Sequence, residues 1–167
     1  MLVRFEDFER EARIPTLFPS VGSNDGVNIA TQRELQEYIF EYEPRFLEIF
    51  FDGDFDAIQS IAEYAALSQN LQTDDEKNVL LSGLRKCLAR YIAFYYFRDN
   101  SVLNTGVGAV IPQPQNSVRT DVVNKCCICW NQMSEYSRKL YIRTFGKEEY
   151  CKSMGKSIFE RINWAGI

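Results

Sequence analysis

Apolar residues recur along most of this chain every three or four positions, the spacing that lays an apolar stripe down one side of a helix. Leu35, Ile39 and Tyr42 share one such face. The helix they mark is expected to open at Thr31, because TQRE has the form of a capping box in which the Thr31 hydroxyl accepts the Glu34 amide and the Glu34 carboxylate reaches back. Pro44 has no amide hydrogen and predicts a break, so PRFLEIFF reads as a second, short helix burying Phe46, Leu47, Phe50 and Phe51. DGDFD at 52–56 predicts a turn, and a further helix is expected over about 55–68. TDDE at 73–76 is another capping-box pattern. The helix it opens carries Leu80, Leu84, Cys87 or Leu88, Tyr91 and Tyr95 on one stripe and runs to about Arg98. Ser117 is a suitable N-cap for the next long helix, which runs to Phe145. Its stripe is Val122, Cys126, Cys129, Met133, Tyr136 and Leu140, widened by Val123, Cys127, Trp130 and Tyr141. Gly146 stands where a helix C-cap belongs, and 147–163 reads as a last amphipathic segment with Tyr150, Met154, Ile158 and Ile162.

Two stretches depart from helical spacing. Residues 1–30 read as an N-terminal arm punctuated by Pro15, Pro19, Gly22 and Gly26, with LFPSV and VNIA as short extended pieces. Residues 99–116 form a long loop rich in Gly and Pro and nearly free of charge, and an ordered loop of that length is usually functional. The expected architecture is mainly α: a single-domain helical bundle with a long extended or β-hairpin loop between its two longest helices. It divides into an arm (1–30), a helical core (31–145, with the loop at 99–116) and a C-terminal helix and tail (146–167).

Composition narrows the chemistry. The chain of 167 residues is 46% hydrophobic and contains 12 Phe and 9 Tyr, enough apolar surface for a real core. No apolar run approaches the roughly 20 residues that span a bilayer. The first residues, MLVRFEDFEREAR, mix charges and lack the apolar core of a secretory signal, so the protein is expected in a cytoplasm. Histidine is absent, which removes the commonest general base and metal ligand. The net charge of −4 conceals a segregation: residues 1–76 hold 17 acidic and 5 basic side chains, and residues 77–167 hold 6 acidic and 14 basic. In a subunit that packs head to tail, such a split lets one copy's acidic side meet its neighbour's basic side.

Local motifs give little support to catalysis or metal binding. CCIC at 126–129 contains one C-x-x-C spacing, but a structural zinc site takes four ligands and neither a second pair nor a histidine is present. The cysteines Cys126, Cys127 and Cys129 fall on an apolar helix face, where cysteine behaves as a small hydrophobe. With Cys87 and Cys151 the total is five, a poor disulfide framework and a pattern suited to reduced thiols. DGDFD with Glu63 at the twelfth position has the outline of a calcium loop, yet Ala57 stands where the loop needs glycine. Carboxylates at a helix N-terminus explain it better. GVG at 106–108 lacks the remaining residues of a phosphate-binding loop. Lys125, Arg138, Lys139, Arg143, Lys147, Lys152 and Lys156 populate the last two helices; among them Arg138, Lys139, Arg143 and Lys147 are candidates for facing DNA or a subunit interface.

Taken together, RYIAFYYFRDN, then TGVGAVIPQPQNS, then a helix carrying WNQM resembles the head–tail connector (adaptor) proteins of tailed bacteriophages, in the form found in phages and prophages of Bacteroides-type hosts, including crAss-like phages. The upstream NIATQRELQEYIFEYEPRFLEIFF is similar too, and the likeness covers about residues 29–140. The resemblance implies a helical protein without enzymatic activity or cofactor that forms a ring, usually of twelve copies, beneath the portal protein. Such a ring extends the DNA channel, contacts the passing DNA without sequence specificity, and is a platform for the next connector or tail protein. It is assembled in the bacterial cytoplasm, resides at the head–tail junction of the virion, and has no membrane partner. In the family, subunits interlock through this loop and the chain termini. The loop match falls on Thr105, Gly106, Gly108, Pro112 and Asn116, and the implied subunit and portal interface also takes in Val107, Val110, Ile111 and Pro114. CCIC before Trp130 departs from the family's pattern. A different class of function, a helical nucleic-acid-binding or regulatory module using the basic C-terminal half, is the alternative.

Overall fold

A computed structural model describes residues 1–15, 17–18, 25–67, 76–100, 103–105, 108–110 and 122–163. The protein is mainly helical and bundle-like. Its long helices are α1 (Asp25–Phe50), α2 (Phe55–Leu67), α3 (Glu76–Asp99) and α4 (Val122–Phe145), followed by a short α5 (Lys147–Lys152). The central helix is α3, which packs along α4 and also against α1 and α2. Between α3 and α4, β1 (Leu103–Thr105) and β2 (Gly108–Val110) run antiparallel with Leu103 opposite Val110. The rest of the loop expected over 99–116 lies largely outside the described residues, as do the Ser117 cap and most of the TDDE cap.

Two expectations for α1 are corrected. Thr31 does not open the helix: α1 begins at Asp25, and the Thr31 hydroxyl donates to the Val27 carbonyl four residues back at 3.0 Å. Pro44 does not end it either, and lies inside one 26-residue helix. The missing amide deprives the Phe40 carbonyl of its helical partner, but Phe40 and Pro44 are both exposed, on the side of the helix that faces solvent. Meanwhile Leu35, Ile39, Tyr42, Phe46 and Phe50 form one buried stripe that continues past the proline. Burial of two Phe side chains beyond Pro44, at about 1.5–3 kcal/mol each, outweighs one lost hydrogen bond at an exposed site.

The DGDFD turn is as expected. Asp52 and Gly53 take positive φ values of 53° and 74°, and Asp54 caps α2 by accepting the Ala57 amide at 3.1 Å. Lys156 Nζ reaches across to Asp52 Oδ2 at 2.8 Å and the Phe50 carbonyl at 3.3 Å, which pins the turn to the C-terminal segment.

Both ends of the chain strap the bundle. Much of the stretch expected to be an arm packs against the bundle: Leu2, Val3, Phe8, Ala12, Ile14 and Leu17 are buried, and from Asp25 it belongs to α1. Its anchor is Glu43 of α1. The Leu2 amide donates to both carboxylate oxygens at 2.9 Å and the Val3 amide to one at 3.0 Å, while Arg85 Nε donates to the Leu2 carbonyl at 2.9 Å. At the other end, 147–163 is not one amphipathic helix. After α5 it continues through a 3-10 turn at Ser157–Phe159 and an extended tail that α4 holds by backbone bonds. Trp130 Nε1 donates to the Glu160 carbonyl at 2.8 Å, and the Asn131 amide group both donates to and accepts from the Ile162 backbone at 2.9 Å. Such side-chain bonds replace the helical ladder, so Ile158 and Phe159 are buried while Met154 is exposed.

Replacing Glu43 with alanine leaves the Leu2 and Val3 amides without an acceptor. We expect a loss of about 2–3 kcal/mol in urea unfolding, early protease cleavage near the N-terminus, and a smaller loss for Glu43→Gln. Wild-type stability in Glu43→Ala would show that the strap does not depend on this carboxylate.

Candidate functional site

The α3–α4 seam decides the surface chemistry. Gly83 of α3 lies against Leu140 of α4 so closely that a Cβ added there would be 2.6 Å from Leu140 Cδ1. Cys87, Cys129, Met133, Ser134 and Ser137 fill the buried seam. The expected stripe on α4 holds for Cys126, Cys129, Met133 and Leu140, with Trp130 and Tyr141 also buried, but Val123 and Tyr136 are exposed. At the edge where the two helices part, a groove of about 470 Å³ opens, lined by Val79, Ser82, Gly83 and Lys86 from α3 and by Tyr136, Lys139, Leu140 and Arg143 from α4, with Asn78 at its end.

The groove is cationic over an apolar floor. Lys86, Lys139 and Arg143 are exposed around Val79 and Leu140. Lys139 Nζ is 2.6 Å from Glu135 Oε1, one turn back on α4, so part of its charge is already balanced. Tyr136 closes one end, its ring covered by the Arg90 guanidinium at 4.8 Å. Arg90 is itself buried, donating through Nε to Gln132 Oε1 at 2.9 Å and through Nη1 to the Lys86 carbonyl at 3.1 Å. Beyond Lys86 the surface becomes mixed in charge, with Glu6, Asp7 and Glu9 beside Arg10 and Arg90.

A second surface has the opposite character. Together α1 and α2 carry eight acidic and two basic residues, whereas α4 carries four basic and one acidic. On α2 the outer face is Phe55, Asp56, Gln59, Ala62, Glu63, Ala66 and Leu67, with Phe55 71% and Leu67 79% exposed. On α1, Phe40 is 65% exposed among Glu37, Glu41 and Pro44.

Of the basic candidates, Lys139 and Arg143 meet in the groove, Arg138 is half-buried on another side of α4, and Lys147 is exposed on α5. Among the loop candidates, Thr105, Gly108 and Val110 belong to β1 and β2, while Gly106, Val107, Ile111, Pro112, Pro114 and Asn116 lie outside the described residues. Lys86 and Tyr136 were missed as surface residues: Tyr136 falls within the apolar spacing of α4, Lys86 lies off the α3 stripe, and only the neighbouring helix shows that the two meet.

Cys87, Cys126 and Cys129 behave as core residues, whereas Cys127 is half-buried and Cys151 exposed. Burial pushes the thiol of Cys87 up to about 12, that of Cys126 to about 11 and that of Cys129 to about 12, so all three stay protonated and unreactive at neutral pH. Cys126 Sγ lies 3.9 Å from the Phe94 carbonyl and Cys129 Sγ 3.3 Å from the Glu11 carbonyl. Among the described residues, no group of three or more potential metal ligands converges, and no helix is long and apolar enough to cross a membrane.

No family model, curated protein or solved structure matches the chain.

Two measurements test the cysteine assignment. Thiol-specific labelling of native protein should modify exposed Cys151 promptly, and Cys87, Cys126 and Cys129 only as fast as the protein unfolds; prompt reaction of any of the three would refute it. The raised thiols also set a sign: below the ordinary value of 9.0 both folded and unfolded chains hold these protons. Between pH 9 and about 12 the unfolded chain gives them up first. Unfolding free energy should therefore be level from about pH 6 to 8 and decline above 9, by up to about 1.4 kcal/mol per pH unit for each such group.

Proposed function

We propose that this protein is a non-enzymatic structural virion protein. Its copies form a ring beneath the portal, connect a phage head to its tail and extend the DNA channel. The observation that carries the reading is the placement of charge: acid-rich α1 and α2 and base-rich α4 pack on the same central α3, and each side leaves part of its charge exposed. Two unlike, complementary surfaces on one subunit are what a heterologous, closed ring requires. The segment between α3 and α4, which includes β1 and β2, is the element proposed to reach a neighbouring copy or the portal. Gly106 and Gly108 are proposed to supply backbone freedom there, and Pro112 and Pro114 to stiffen the chain after it. Lys147 and Arg138 are proposed to face DNA or a neighbour without base-specific contact. The sequence resemblance to head–tail connectors supplies the location, the virion's head–tail junction after assembly in the bacterial cytoplasm, and the partners: other copies in a ring of about twelve, the portal, and the next connector or tail protein.

Native mass measurement of the protein, alone and with a portal ring, tests the reading. A ring-sized species, alone or on the portal, is expected; a protein that stays monomeric in both settings would sink it. Shortening 101–116 to a tight turn should keep the helical circular-dichroism signal and thermal transition while abolishing the ring. Normal assembly of the shortened chain would remove the loop from the proposal.

A further inference from the structure

We infer that the α3–α4 groove is the seat for α2 of a second copy of this chain. The inference deepens the ring reading and rests on it. The groove supplies Lys86, Lys139 and Arg143 around an apolar floor of Val79 and Leu140. The helix supplies the reverse: Asp56 and Glu63 lie one helical face apart from buried Ile61 and Ala65, and α2 contains no Lys or Arg. Gln59 Nε2 donates to Glu63 Oε1 at 2.8 Å, which holds that carboxylate on the outer face.

The dimensions agree. The lining residues span Asn78 to Lys86 on α3 and Tyr136 to Arg143 on α4, a trough about 12 Å long at 1.5 Å per residue. It accommodates two turns of a helix, and Asp56 and Glu63 are two turns apart. Exposed Phe55, next to Asp56 at the start of α2, is a large apolar side chain that such a contact would cover. A nucleic acid fits the same groove less well, because past Lys86 the surface mixes Glu6, Asp7 and Glu9 with Arg10 and Arg90 and offers no continuing cationic track for the next phosphates. Docking α2 of one copy into the groove of the next is heterologous, so the contact propagates around a ring instead of stopping at a dimer.

Charge reversal on the full chain tests the pairing. The groove variant is Lys86→Glu with Arg143→Glu, and the helix variant is Asp56→Lys with Glu63→Lys. All four residues are exposed, so the thermal transitions should stay close to wild type. Each variant alone should self-associate at least about tenfold more weakly than wild type in sedimentation velocity. Mixed in equal amounts they should associate again, because each reversed surface then faces its complement. Wild-type association that neither variant weakens would overturn this inference and leave the ring reading standing. A wild-type chain monomeric up to roughly 1 mM and on the portal would overturn both. Loss of duplex-DNA binding in the groove variant, with self-association unchanged, would reassign the groove to phosphate and overturn the inference.

Discussion

The close packing of α3 against α4 is the contact on which the rest of this structure depends. It is made by small residues. Gly83 admits Leu140, and Cys87, Cys129, Ser134 and Ser137 are small buried residues that, with Met133, fill the space between the two helices. Above the seam the filling becomes aromatic: Trp130 packs against Phe94 at 4.8 Å and Tyr91 at 5.8 Å between ring centroids, and Tyr42 of α1 stacks on Tyr95 at 4.0 Å. One helix pair thereby carries the aromatic core, the shape of the cationic groove and the protonated state of three thiols.

Polar groups then decide how the chain ends are used. Glu43 holds the first residues through two backbone amides, and Asn131 and Trp130 hold the last described residues through backbone atoms. Backbone groups in irregular segments must find partners when buried, and long-range side chains supply them here. Arg90 belongs to the same scheme. It joins Gln132, the Lys86 carbonyl and the Tyr136 ring, and lies 3.8 Å from Glu11, so the N-terminal strap, α3 and α4 share one buried cation. Glu11 is held below the ordinary carboxylate range by its own backbone amide first, against some burial, with Gln132 and Arg90 adding to the effect.

Surface charge follows from that arrangement. The −4 total is of little consequence beside its distribution, because acid-rich α1 and α2 and base-rich α4 pack on different parts of α3. Electrostatic complementarity of this kind selects partners and orientation more than it adds affinity. Exposed Phe40, Phe55 and Leu67 add the apolar area that a lasting contact needs.

Periodicity by itself determined the helical class, most of the stripes on α3 and α4, the turn at Asp52–Asp54 and the burial of Cys126 and Cys129, because those follow from local spacing and local caps. It misplaced the start of α1 and the effect of Pro44. A capping-box pattern and a proline act locally, and burial of Phe46 and Phe50 against α3 outweighs both. It also read an arm in residues that Glu43, some forty positions away, fastens to the bundle. The groove was half legible: Lys139 and Arg143 stood out as basic, but Lys86 and Tyr136 join them only because Gly83 lets α3 meet α4 at that register. Spacing along one helix specifies which residues share a face, and only packing against a second helix decides which face is left to solvent.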